Sequence, residues 1–485
     1  MIGLSAARIA EIVGAELIPA GPHPAGAGPA VAPGPITSVE FDSRHIRAGA
    51  LFVALSGERV DGHDFAAAAR TAGALAVLGA GDGHGELPQL RTADDAATLT
   101  ALAALAHASV TALSAAGLTV IGMTGSSGKT STKDLIAALL TERAGAAAVV
   151  APRESFNNEL GHPYTVLRAG PDTSYLVLEL SARNRGHIAE LSAIAPPKIG
   201  AVLNVGSAHL GEFGSVDAVA AAKGELVEAL PAAADGGVAV LNADDHRVLA
   251  MAARTTAAVV TTGRGADADV RAVEVRSDDR ARAAFTLCTP EGQAEVALQV
   301  AGAHQVDNAL AAAAVARATG LGLADIAGAL SRARAASKWR MEITDRADGV
   351  TVINDAYNAN PESMRSALQS LATIGTGRRT WAVLGEMAEL GTSARAAHDE
   401  IGRLAVRLGV ARLVVVGQAA RALHLGAALE GSFNGESELV DDVPTAIELL
   451  SAQLLPGDVL LVKASRSVGL DRVAAALLAG ERGAA

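Results

Sequence analysis

Aromatic side chains are nearly absent from this chain: seven Phe, three Tyr and two Trp in 485 residues. Stacked rings therefore cannot dominate the interior, and there is little surface on which exposed bases could stack. Half of the residues are apolar, so large cores remain possible, built from aliphatic side chains. Positive charge is short as well. Forty Lys and Arg stand against 52 Asp and Glu, a formal charge of −12. A nucleic-acid partner asks for a basic face, and this balance argues against one. Cys288 is the single cysteine, which excludes an internal disulfide and a thiolate metal cluster. It sits in an alternating run, 284–288, and reads as a buried strand residue. Residues 1–8 lack a basic stretch followed by an apolar one and do not read as a signal peptide. The alanine-rich segment 97–118 is broken by His107, Ser109, Thr111 and Ser114, so it reads as a helix of a globular domain rather than a membrane span. A cytoplasmic enzyme, with no nucleic acid and no membrane insertion, is the class that remains.

What is present is most informative at Thr124-Gly125-Ser126-Ser127-Gly128-Lys129-Thr130-Ser131. An apolar run, 118–123, precedes it and a helix-like stretch follows: strand, glycine turn, helix. Glycines let backbone N–H groups close around phosphate oxygens, and the helix N-terminus adds its positive dipole. Lys129 is placed to reach terminal phosphates and the Thr130 hydroxyl to hold Mg²⁺. The loop is shorter than the usual G-x-x-x-x-G-K-[ST] pattern, whose first glycine would fall at Met123. An ATP or GTP user is expected.

Length suggests about three domains of ~150 residues. Residues 1–112 read as a small α/β unit with strands at 51–55 and 75–78 around a helix at 64–72. Residues 113–333 alternate strands (175–180, 199–205, 237–241, 257–261) with helices. That pattern predicts a mostly parallel sheet. Period-2 stretches over 269–300 predict an antiparallel appendage, followed by a helix at 304–319. Residues 334–485 read as a second doubly wound α/β unit, with strands at 350–354, 381–384, 412–416 and 459–462.

Five further positions invite chemistry. Glu179 ends an apolar strand, where a carboxylate of a parallel sheet opens into the ligand crevice; it reads as a Mg²⁺ ligand or as a solvated strand-end acid. His209, among small residues after another strand, reads as a ligand, a hydrogen-bond donor or a structural histidine. Lys223, taken alone, is a solvated helix charge. In the block 354–363, Asp355 could accept from a ribose hydroxyl, or the block could simply cap the helix that Pro361 opens. Lys463 and Arg466, after the strand 459–462, suit an anionic substrate or acidic neighbours equally.

Together these blocks resemble the Mur ligases over residues 36–475. Asp42-Ser43-Arg44, the 51–57 run ending in Gly57 and Asp61-Gly62-His63-Asp64-Phe65 are similar to the family's UDP-sugar-binding module. Phe156-Asn157-Asn158-Glu159-Leu160-Gly161-His162-Pro163, the 208–215 and 355–361 blocks, and Gly385-Glu386-Met387-Ala388-Glu389-Leu390-Gly391 look like the dipeptide-adding member. Glu154-Ser155, Gln305 and Ala464 depart from the family's usual Gly-Asn, Asn and Gly. The resemblance implies an ATP-dependent ligase that joins D-alanyl-D-alanine to a UDP-N-acetylmuramoyl-tripeptide through an acyl phosphate, for peptidoglycan synthesis. It implies that Thr130 and Glu179 hold one Mg²⁺. His209 and a carbamylated Lys223 would serve a second. Asn308, Arg340, Asp355 and Tyr357 would contact the nucleotide. Ser43, Arg44, Gly57, Asn157, Asn158, Asn358, Asn360, Lys463 and Arg466 would contact substrate. Two alternatives remain. One is a sister ligase with another acceptor, including folylpolyglutamate synthase, although the Asp-Asn-Pro-Arg of the diamino-acid-adding member is absent. The other is a nucleotide-dependent switch without ligation, although Asn-Lys-x-Asp for guanine is absent too.

Overall fold

The computed structural model describes residues 1–20, 34–57, 60–81, 87–152, 156–206, 210–431 and 436–479. Three sheets organise the chain. The first has five strands, in the order Glu16–Ile18, Gln89–Arg91, Ala74–Gly79, Ala50–Val53, Ser38–Glu40. All its pairings are parallel except that of Glu16–Ile18. The helix expected at 64–72 opens as a 3₁₀ turn, Gly62–Phe65, before Ala66–Thr71 becomes α-helical. Helix Asp95–Ala115 is long and apolar enough to cross a membrane. Its buried residues, among them Ala101, Leu102, Leu105, Val110 and Leu113, recur at helical spacing and join the core shared with the first sheet. That face of the helix is thus used inside the fold.

The second sheet has nine strands. Val149–Val150, Tyr175–Glu179, Thr119–Thr124, Ile199–Val202, Val238–Asn242, Ala258–Gly263 and Val270–Ser277 run parallel. Arg282–Thr289 and Gly292–Ala301 then extend it as antiparallel strands, the expected appendage. Tyr175–Glu179 lies on one side of Thr119–Thr124 and Ile199–Val202 on the other, so the chain reverses direction across the sheet at the strand that feeds the glycine turn. Open α/β sheets bind ligands at such a switch point, beyond the carboxyl ends of the strands. Register places the groups: Met123 pairs with Glu179, which sets that carboxylate beside the start of the turn.

The third sheet, in the order Glu342–Asp345, Thr351–Asn354, Val459–Lys463, Thr380–Leu384, Arg412–Val416, Ser437–Val440, is parallel except for its first strand. Its interior includes Trp381, which is fully buried and donates its indole N–H to Asp458 (3.0 Å). Three of the scarce aromatics meet where the first and second units join: Phe41 lies against Phe156 and Tyr164, with ring centroids 6.3 and 4.9 Å away. Edge-to-face packing of this kind adds about 0.5–1.5 kcal/mol per pair beyond burial, and the Tyr164 hydroxyl also donates to Glu40 (2.9 Å).

Candidate active site

The turn after Thr119–Thr124 is held open by its neighbours. Ser127 donates its backbone N–H to the Asn204 side chain (2.9 Å), which returns a bond to the Ser127 carbonyl (3.1 Å). Gly206 donates to the Ser126 hydroxyl (2.8 Å). Gly128 has φ +83°, and a Cβ there would lie 2.4 Å from Asn308 Oδ1, so only glycine fits. Lys129 opens the helix Lys129–Ala144 and folds back to donate to the Gly125 carbonyl (2.6 Å). Burial pulls its ammonium below the usual range, opposed by Glu179.

Thr130 donates its hydroxyl to Glu179 Oε2 (3.2 Å). The other oxygen, Oε1, is buried without a hydrogen-bond partner. Burial raises the Glu179 carboxyl above its ordinary value, and the charges of Lys133, Arg340 and Lys129 resist that rise. An orphaned buried carboxylate oxygen beside a hydroxyl is a site for a hard cation. No three His, Cys, Asp or Glu side chains gather among the described residues. A cation here would therefore draw further oxygens from a ligand or from water.

The opposite wall comes from the third unit. Arg340 lies over the Tyr357 ring, 4.3 Å from its centroid. Asp355 accepts from the backbone N–H of Met341 (3.0 Å) and from Lys463 (2.6 Å). Lys463 also donates to the carbonyls of Asn358 (2.8 Å) and Asp355 (3.4 Å), so its three N–H bonds are all used within the protein. Asn360 caps the helix Pro361–Ile374 through a capping box and reaches across to the Ser126 carbonyl (3.4 Å). Asn308, buried in the second unit, accepts from Thr132 (3.2 Å) and donates to Gln305 (2.9 Å). The departure at Gln305 thus keeps a polar partner for Asn308.

These walls enclose a cleft of about 700 Å³. It brings together the turn residues 126–131, Glu179, Asn157, Asn158, Asn308, Arg340, Asp355, Tyr357, Asn358, Asn360 and Lys463. Thr124 and Gly125 form the base of the turn behind it. Lys223 ends the helix Val216–Lys223; it is buried, near enough for the Lys129 charge to act on it, and burial drives its pKa well down. Ser43, Arg44 and Gly57 lie apart, in the first unit. Arg44 is exposed and paired with Asp42 (2.6 Å), whose carboxyl it pulls to about 2. Arg466 turns away from the cleft to Asp471 (2.7 Å) and to the face of Trp339 (4.2 Å). His209 lies outside the described residues.

Sequence reading did not single out Asn204, Lys133 or Ser337. Asn204 is 77 residues from the turn it clamps. Lys133 is buried, paired with Asp134 (2.5 Å) and bonded to the Pro152 carbonyl (2.9 Å). Its only early sign is a lysine where the helix should show an apolar face.

Comparison with known proteins identifies the family. Three family models match: "Mur ligase family, catalytic domain" over residues 35–121, "Mur ligase middle domain" over 123–316, and "Mur ligase, glutamate ligase domain" over 339–466. A UDP-N-acetylmuramoyl-tripeptide–D-alanyl-D-alanine ligase of Mycobacterium tuberculosis is 51% identical over 99% of both chains. One of Escherichia coli is 35% identical over 91% of this chain and 94% of its own. Among solved structures, MurF of Acinetobacter baumannii superimposes with TM-score 0.81 at 31% identity, covering 98% of this chain and 99% of that one. MurF of Thermotoga maritima, in complex with ADP, gives 0.76 at 26% identity over 93% and 99%. The chain belongs to the Mur ligase family.

Proposed function

We propose that this chain joins D-alanyl-D-alanine to a UDP-N-acetylmuramoyl-tripeptide, using ATP and releasing ADP and phosphate. Full-length identity of 51% to ligases of that name carries the choice of substrates. The site supports the chemistry. A carboxylate does not condense with an amine until it is activated. Attack of the tripeptide's terminal carboxylate oxygen on the γ-phosphorus breaks the bond to ADP and gives an acyl phosphate. The free amine of the dipeptide then attacks the acyl carbon. The tetrahedral species collapses with loss of phosphate, and the amine proton leaves to solvent or base.

Three anionic groups must share this cleft, so the chain supplies cations and backbone dipoles. The 125–131 turn would cradle the phosphates with its N–H groups, and Lys129 would exchange the Gly125 carbonyl for a phosphate oxygen. Arg340 and Tyr357 would flank the nucleotide from the third unit, with Asp355 fixing the segment that carries them. Asn157 and Asn158 would face the tripeptide, and Ser43, Arg44 and Gly57 its UDP end. Thr130 and the orphaned Glu179 oxygen fit Mg²⁺. When bound, that ion neutralises phosphate charge and orients the γ-phosphoryl group. Lys223 makes no hydrogen bond or ion pair with any described residue, and its burial favours the neutral amine. Neutral amine plus CO₂ gives a carbamate and a proton, which converts a buried cation into an oxygen ligand; we assign that modification to Lys223, with His209 as a companion ligand. ATP and UDP-linked precursors are cytoplasmic metabolites, so a cytoplasmic location follows from the reaction.

The test is phosphate release with UDP-tripeptide, ATP and a panel of amines. D-Alanyl-D-alanine should turn over fastest, with the amide seen by mass spectrometry. Best turnover with a free amino acid would assign a sister ligase instead. ATP binding without amide product would leave only a nucleotide-dependent binding module.

A further inference from the structure

The segment that carries Arg340 is unusual. It joins the second unit to the third, and Trp339 and Met341, on either side of Arg340, both adopt left-handed backbone (φ +58° and +50°). Bulky residues avoid that region, and such strain persists only where the surroundings over-determine it. On the third-unit side the anchor is visible: Met341 donates to Asp355, and Tyr357 donates to the Trp339 carbonyl (3.2 Å). On the second-unit side Ser337 is an anchor. Its backbone N–H donates to Asp134 Oδ2 (3.0 Å), and its hydroxyl accepts from Lys133 Nζ (3.3 Å). A cavity of about 370 Å³ lies beside this joint, bordered by Asp134, Ser337, Arg340 and Met341. Beside that cavity, the polar contacts of Ser337 link this segment to the second unit.

Lys133 and Asp134 lie one turn beyond Thr130 on the phosphate-loop helix, with side chains only 3% and 9% exposed. Lys133 pairs with Asp134 (2.5 Å) and donates to the Ser337 hydroxyl and to the Pro152 carbonyl at the end of the segment that precedes Asn157 and Asn158. A buried ion pair is a poor source of net stability beside an apolar pair of equal volume. Stability alone does not account for it here.

We propose that Lys133 and Asp134 are positioning residues that tie the phosphate-loop helix and the interdomain linker at Ser337 into one frame, and so set Arg340 over the cleft. Neither touches the reacting atoms. Phosphate-loop contacts to ADP do not depend on the pair; delivery of Arg340 does.

The proposal rests on the ligase reading above. Wild-type turnover tests that reading, and only the ratio of variant to wild type tests this one. Three variants separate positioning from folding: Lys133→Met/Asp134→Leu, which removes both charges together, Lys133→Arg, and Ser337→Pro, which deletes the N–H donated to Asp134 from outside the core. Calorimetry reports folding, fluorescent-ADP titration reports the phosphate loop, and phosphate release gives kcat and KM. The double variant and Ser337→Pro should lower kcat about 10–100-fold, the range for groups that orient others, and weaken ADP binding by less than that, since the phosphate loop still grips the nucleotide while Arg340 is displaced from it. Lys133→Arg should recover most of kcat. If the double variant does not fold, Ser337→Pro decides. A folded variant with kcat within about threefold of wild type, or one that loses ADP binding as much as kcat, overturns the proposal.

Discussion

Gly128→Ala is the sharpest test of the phosphate-loop geometry. The new Cβ would sit 2.4 Å from Asn308 Oδ1, about 1 Å inside ordinary contact. Asn308 cannot retreat freely, because it is buried and bonded to Thr132 and Gln305. Moving it would cost those two bonds, about 1 kcal/mol each. The left-handed backbone adds about 1–2 kcal/mol for a non-glycine residue. The sum is about 3–4 kcal/mol, divided between lost stability and a displaced loop. A loop displaced by about 1 Å costs on the order of 100-fold in function. Fluorescent-ADP titration and phosphate release should both show that loss. Asn308→Ala in the same chain removes the clashing oxygen and should return part of the stability lost by Gly128→Ala, a positive coupling in a double-mutant cycle. ADP binding within about threefold of wild type in Gly128→Ala, or strict additivity in the cycle, would refute the reasoning.

Three other outcomes follow from particular groups. Lys223→Ala should lose turnover and regain part of it with added acetate, since a short carboxylate can replace the carbamate; full activity without acetate would remove that role. Glu179→Gln should raise the melting temperature of the ligand-free protein, because burial opposes the charge it deletes; each kcal/mol is worth about 2–4 °C. Its turnover should fall by about 100-fold or more, and a less stable yet active variant would contradict both halves. His162 is fully buried, and burial lowers its pKa from 6.5 to about 4. The unfolded chain then binds the extra proton between those values, so stability is complete above 6.5 and falls as pH drops toward 4, by roughly 3 kcal/mol. His162→Leu should flatten that part of the curve in denaturant titrations; an unchanged slope would sink the assignment.

The phosphate loop was legible because its signals are local. Strand, glycine turn, Lys129 and Thr130 lie in one short stretch, and their meaning does not depend on distant partners. Glu179 was legible as an acid ending an apolar strand, but its pairing with Met123 is a matter of sheet register, which one strand does not encode. Edge strands escaped notice. Val149–Val150 has two residues, and Glu342–Asp345 and Ser437–Val440 mix charged or polar residues with apolar ones, as exposed edges do. Asn204 and Ser337 were not legible, since each acts on residues far along the chain. Lys463 shows the limit most clearly. A lysine at a strand end suggests an anion, yet in the fold its donors are taken by Asp355 and Asn358.

The account stands on activation of a carboxylate by the nucleotide held at Lys129, Thr130 and Glu179. UDP-tripeptide carrying ¹⁸O in its terminal carboxylate tests this directly. With ATP and D-alanyl-D-alanine, one labelled oxygen should pass to inorganic phosphate for each amide formed, read by mass spectrometry. Amide formation with unlabelled phosphate would contradict it.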